Sequence, residues 1–194
     1  MGFCRGLVLV LCMVGWSCTP PVANQQKTIN KYFDLDGLID DQLKLIDSLS
    51  PSLSKTAEIN GVSETTEFEA ADSVWAKELL IFRLADLNKP TLVDSYQKRS
   101  SIVHGDSIIT YISKSPKATL VDTLGIVLQN NRPKSVWASL NSANTLFQSS
   151  KNLSLHFEPI GDEMVVSAYS VHGWQKMTSR DSTTFFVQAT INLP

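Results

Sequence analysis

From Tyr96 to the C-terminus this chain carries one short apolar stretch after another, and no gap between them is long enough for a crossover. A parallel pair of strands needs a connection of roughly a dozen residues or more, usually helical, whereas antiparallel neighbours join through a few turn residues. The breaks here are His104-Gly105-Asp106, Asn130-Asn131, residues 141–144, residues 149–152 and Gly161-Asp162, all of turn-forming composition. The second half therefore reads as an antiparallel sheet, with strands expected at 101–103, 107–111, 120–128, 136–140, 146–148, 153–157, 164–174 and 184–193. In the last of these Phe185, Val187, Ala189, Ile191 and Leu193 alternate with Gln188, Thr190 and Asn192. Such alternation means one buried and one wet face.

The first half has a different rhythm. Leu35, Leu38, Ile39, Ile46 and Leu49, with Leu43 beside them, recur at helical spacing over residues 31–48, and Pro51 stops the pattern. Asp72 is placed to cap a second helix through Leu87, with Trp75, Leu79 and Phe82 on one face and Leu80, Leu84 and Leu87 beside them. Between the two lies Asn60-Gly61, flanked by residues 55–59 and 62–66. This dipeptide supplies the two positive φ angles of a type I′ hairpin turn. The fold class expected is α+β: two N-terminal helices packed on an antiparallel, meander-like sheet of about seven to nine strands. No internal repeat or second linker divides residues 31–194, which read as one domain.

A formal net charge of −2 gives no basic face, so nucleic acid is not an expected partner. Cys4, Cys12 and Cys18 all fall in the first tenth of the chain, which suits neither a disulfide framework nor a metal site. The segment holding them begins with one side-chain charge, at Arg5, and continues through an unbroken apolar run over residues 6–14. That run has the length of a signal-peptide core and falls short of the roughly 20 residues that a membrane-spanning helix requires.

Val14, Ser17 and Cys18 then resemble the lipobox of bacterial lipoproteins, in which an apolar and small residues precede the cysteine. Trp16 stands where that family has a small residue, a loosening similar to Bacteroidota-type lipoproteins. The resemblance implies cleavage before Cys18, leaving residues 1–17 as a signal peptide, and a diacylglycerol on the Cys18 sulfur with an acyl chain on its amine. With about 0.8 kcal/mol gained per buried methylene, two or more chains anchor stably. A plain secretory peptide cut near Ser17 is the alternative. Residues 18–30, polar and Pro-bearing, read as a flexible tether. Thr19 is not the aspartate that in the enterobacterial sorting rule retains lipoproteins at the inner membrane. The resemblance thus favours the outer membrane, facing the periplasm.

No catalytic motif stands out. His104, His156 and His172 lack metal-ligand spacing, and no metal or cofactor is expected. Asp34, Asp36, Asp40 and Asp41 include an Asp-Leu-Asp-Gly stretch like the start of a calcium loop, but they read better as acidic residues opening a helix. Five triplets of Asp, hydroxyl residue and small or apolar residue place hydroxyls at Ser48, Ser73, Ser107, Thr123 and Ser182, against about one expected from this composition. They resemble O-glycosylation acceptors of Bacteroidota-type envelope proteins; ordinary cap and turn chemistry accounts for them equally. Tyr169, Trp174, Phe185 and Phe186 either fill the core or line a groove.

The chain is expected to be a non-enzymatic envelope lipoprotein, an interaction or structural module held at the membrane by Cys18 and meeting another envelope protein. The alternative is a carrier that binds a lipid or other apolar ligand between sheet and helices, an expectation that architecture alone connects to periplasmic lipoprotein carriers. A hydrolase of envelope polymers comes third. The anchor is tested by a Cys18→Ala variant: palmitate labelling should disappear and the protein should leave the membrane pellet, and retention of both would overturn it.

Overall fold

The computed structural model describes residues 30–69 and 72–193, with the side chains of Asp72 and Ser73 left aside. The leader, Cys18 and nearly all of the tether lie outside the described residues. Helix α1 (Leu35–Leu49) opens on Asp34, whose carboxylate accepts from the Gly37 backbone N–H at 2.9 Å, and closes on Ser50 in the left-handed region. The Asp-Leu-Asp-Gly stretch is thus a helix cap. Hairpin β1 (Ser52–Ile59) and β2 (Val62–Glu69) turns through Asn60 and Gly61 at φ 51° and 85°, as the dipeptide predicts. Next comes α2 (Asp72–Leu79), and then seven strands: β3 (Tyr96–Val103), β4 (Asp106–Ser113), β5 (Val121–Gln129), β6 (Arg132–Ala143), β7 (Phe147–Ile160), β8 (Glu163–Met177) and β9 (Thr183–Asn192).

All nine strands form one open antiparallel sheet in the order β2-β1-β9-β8-β7-β6-β5-β4-β3. The α+β class stands, but three expectations need correction. The helices are not both N-terminal, because the β1–β2 hairpin separates them and joins the sheet beside the last strand, β9. The second helix does not run to Leu87: it tightens at Leu80 into a 3-10 segment ending at Ala85. Leu79, Phe82 and Ala85 are buried at steps of three, the 3-10 period, while Leu80 and Leu84 face water. Finally, residues 149–152 are no turn. They run through the middle of β7, where both neighbours pair with them and the ladder overrides the local polarity.

The register explains which face is wet. Lys55, Ala189, Tyr169, Leu155, Val136, Ile126 and Ile109 form one transverse row, apolar except at its end. Thr56, Gln188, Ser170, Ser154, Trp137, Gly125 and Thr110 form the next row on the opposite face. On that outer face the indole of Trp137 lies across Gly125, where an added Cβ would come within 2.1 Å of the ring. The inner face carries the core. Leu35, Ile39 and Ile46 of α1, then Trp75, Leu79 and Phe82, bury themselves with Leu124, Ile126, Leu153, Leu155 and Val166 of the sheet.

Two polar side chains fix how this cover sits. Strand β8 extends beyond the part that β9 pairs, Ala168–Gln175, and Gln42 of α1 meets the overhang. Its Nε2 donates to the Met164 carbonyl at 2.9 Å and its Oε1 accepts from the Val166 N–H at 2.7 Å. A side-chain amide thus completes the ladder as a neighbouring strand would. Asn88 does the same for the chain entering α1, accepting from the N–H groups of Lys31 and Tyr32 and donating to the Phe33 carbonyl at 3.1 Å. Replacing Gln42 with Leu leaves two buried backbone groups of β8 unpaired, and should cost about 2–3 kcal/mol in urea denaturation. A loss below the error of that measurement would show that water satisfies them.

Candidate functional site

Apart from the helical connection between β2 and β3, the connections longer than two residues, 114–120, 144–146 and 178–182, gather at the end of the sheet where β1 turns into β2. Near that end the helical layer stops short. Inner-face residues there are only half-buried: Ala57, Phe185, Val187 and Lys151, with Gln175 exposed. A cleft of about 310 Å³ lies at this corner, between the α2 segment and strands β1, β7, β8 and β9. Ile81 stands on the helical side, and Val171, Phe185, Val187 and the ring of Tyr169 on the sheet side.

The polar groups of the cleft converge on Glu78, in the last turn of α2. Lys55 from β1 donates to both carboxylate oxygens at 2.8 and 2.9 Å, and the Tyr169 hydroxyl donates to Oε2. Side-chain exposures of 29% for Lys55 and 16% for Glu78 leave this pair partly buried, with its charges mutually satisfied. Phe82 holds the Tyr169 ring edge-to-face, with centroids 5.9 Å apart. Burial, and then the adjacent Glu78 carboxylate, push the Tyr169 phenol far above its ordinary range, so it remains a donor at any physiological pH.

Lys151 also lines the cleft, from β7. It pairs in register with Gly173 and Leu140, two residues without polar side chains. At Gly173 the backbones are pressed together, since a Cβ there would lie 2.0 Å from the Ser150 carbonyl oxygen. Among the described residues Lys151 has no ion pair and no hydrogen-bond acceptor for its ammonium group.

A larger recess, about 650 Å³, opens beside the 114–120 connection and includes Leu120, Asp122, Asn141, Gln148 and Trp174. Asp122 bulges out of β5 there; one carboxylate oxygen accepts from Asn141 Nδ2, and the other is buried without a partner. This recess is walled on one side by a loop. The smaller cleft is the one bordered by both layers of the fold, with an apolar lining and a few convergent polar groups, the usual make-up of a ligand site.

The residues singled out from sequence are dispersed. Cys18 lies outside the described residues, as does the side chain of Ser73. Ser48 is exposed on α1, its hydroxyl donating to the Leu45 carbonyl at 2.7 Å, while Ser107 and Thr123 are half-buried within β4 and β5. Ser182 stands on the exposed connection between β8 and β9. Within these triplets Asp106 pairs with Lys134 at 2.8 Å, and Asp122 accepts from Asn141. His104, His156 and His172 are exposed, and no group of three or more His, Cys, Asp or Glu side chains converges among the described residues. Of the four aromatic candidates, Tyr169 and Phe185 meet in the cleft, Trp174 borders the recess, and Phe186 lies half-buried on the outer face. Lys55, Glu78 and Lys151 escaped sequence reasoning.

No family model matches this chain, and neither does any curated protein. Among the described residues, no helix is long and apolar enough to cross a membrane.

Tyr169, Tyr96 and Tyr111 all titrate above the ordinary phenol range, in each case chiefly through burial. The native state then keeps protons that the unfolded chain releases, so stability should fall as pH rises from about 10, the unfolded tyrosine value. A Tyr169→Phe variant should lose stability less steeply over that interval in thermal melts. Identical slopes for variant and parent would remove Tyr169 from the account.

Proposed function

We propose that this domain is a carrier that binds an apolar ligand in the cleft between its helical layer and the β1, β8 and β9 corner of its sheet. The observation that carries the reading is the cleft itself, about 310 Å³, lined by Ile81 on one side and by half-buried Phe185 and Val187 beside buried Val171 on the other. Burying apolar ligand surface there gains about 25 cal/mol per Å². The Lys55–Glu78–Tyr169 cluster is closed on itself, so it fixes the wall of the site without demanding a polar partner. No catalytic step belongs to this reading.

The carrier acts, in the same proposal, from the periplasmic face of the outer membrane, held by acyl chains on Cys18. Binding of another envelope protein is the second reading, favoured by the two sheet edges, β2 and β3, that are unpaired among the described residues. Those edges carry Glu64, Glu67 and Glu69 on one side and Lys98 and Arg99 on the other. Charges of this kind blunt an edge against strand addition, which ranks the protein-binding reading second.

The uncharged fluorophore N-phenyl-1-naphthylamine tests the carrier. It should bind the parent protein saturably with a rise in fluorescence, while Val187→Trp and Ile81→Trp, filling the cleft from opposite walls, should each weaken binding by about tenfold or more. Absence of saturable binding, or binding untouched by both variants, would refute the reading.

A further inference from the structure

The cleft holds more positive charge than it uses. Its ionisable side chains are Lys55, Glu78, Lys151 and Tyr169. Glu78 is fully engaged by Lys55 and by the Tyr169 hydroxyl, which stays protonated. Lys55 is held through both of its carboxylate contacts. Lys151 alone keeps an ammonium group with no acceptor among the described residues, half-buried on the inner face beside Val171 and Phe185. Two cations against one anion leave one positive charge, located on Lys151.

We infer that the apolar ligand bears an anionic group, and that Lys151 is the residue that receives it. This deepens the carrier reading and rests on it. The chemical class is an anionic amphiphile: an acyl or comparable apolar chain seated between Ile81 and Val187, ending in a carboxylate or phosphate at Lys151. Lys55 is a poor competitor for the anion, since it would have to leave Glu78 and strand a carboxylate beneath the surface. Gly173 contributes by lacking a side chain where Lys151 pairs with it, so no Cβ shields the ammonium stem from that side.

Decanoate and decanol, equal in chain length and different in charge, separate the anion from the chain. Each is titrated at neutral pH against N-phenyl-1-naphthylamine bound to the full-length protein. Decanoate should displace the probe at about tenfold lower concentration than decanol, the ratio expected for one partly desolvated charge-assisted contact. In Lys151→Met this preference should vanish, and a thermal melt matching the parent's shows the variant to be folded. Lys151→Arg should retain the preference. Equal displacement by the two ligands in the parent, or a preference that survives in Lys151→Met, overturns the inference and leaves the carrier standing. Failure of the probe itself to bind removes both.

Discussion

An open antiparallel sheet with one apolar face has to find cover for it, and the described residues cover it unevenly. Nine strands at about 4.8 Å spacing make a surface about 38 Å across. A 15-residue helix is about 22 Å long and about 10 Å wide, so α1 alone cannot span that width, and the shorter α2 with its 3-10 extension has to share the task. Part of the deficit is met by irregular chain. Tyr32, ahead of α1, packs edge-to-face on both Tyr96 and Tyr111, covering the β3–β4 side with ring centroids 5.7 and 5.4 Å apart. Among the described residues nothing comparable covers the opposite corner. The cleft lies where the cover runs out.

Apolar packing alone would not decide where the cover sits, because burial has no direction. Direction comes from the hydrogen bonds of Gln42 and Asn88, which satisfy backbone groups that neither sheet nor helix could pair. Arg83 adds a looser link, reaching Asp36 and Asp40 on α1 from the 3-10 segment. These ion pairs are largely solvated and contribute little energy. They do hold Asp36 and Asp40, one turn apart on α1, toward the 3-10 segment.

Much of the sheet was legible because its determinants are local. Asn60-Gly61 and Asn130-Asn131 turn with both residues at positive φ, and strand alternation survives wherever one face stays wet. What escaped were decisions made between distant segments. That β1 pairs with β9 depends on a register running from Ser52 with Asn192 to Ile59 with Phe185, and no local pattern encodes it. Residues 149–152 look like a turn until both flanking strands are present. The cleft is opaque for the same reason. Lys55, Glu78, Lys151 and Tyr169 come from four elements spread over more than half the chain, and only the sheet order brings them together. One signal was available: read in alternation, the inner positions of β7 are Phe147, Ser149, Lys151, Leu153 and Leu155, a cation on a face that should be apolar.

That cation is the strongest reason to treat the corner as more than incomplete packing. Where a sheet merely runs past its cover, the cheapest sequence solution is a run of neutral polar residues such as the outer face carries at Ser154, Ser170 and Gln188. Here the wall keeps half-buried Phe185 and Val187, which gain nothing from water, beside an ammonium group that gains nothing from apolar neighbours. Either alone would be unremarkable, since scattered apolar and charged residues are common at a surface. Together, opposite a carboxylate already claimed by Lys55 and Tyr169, they make a surface whose two halves are satisfied at once only by a molecule that is itself divided into an apolar part and an anionic one.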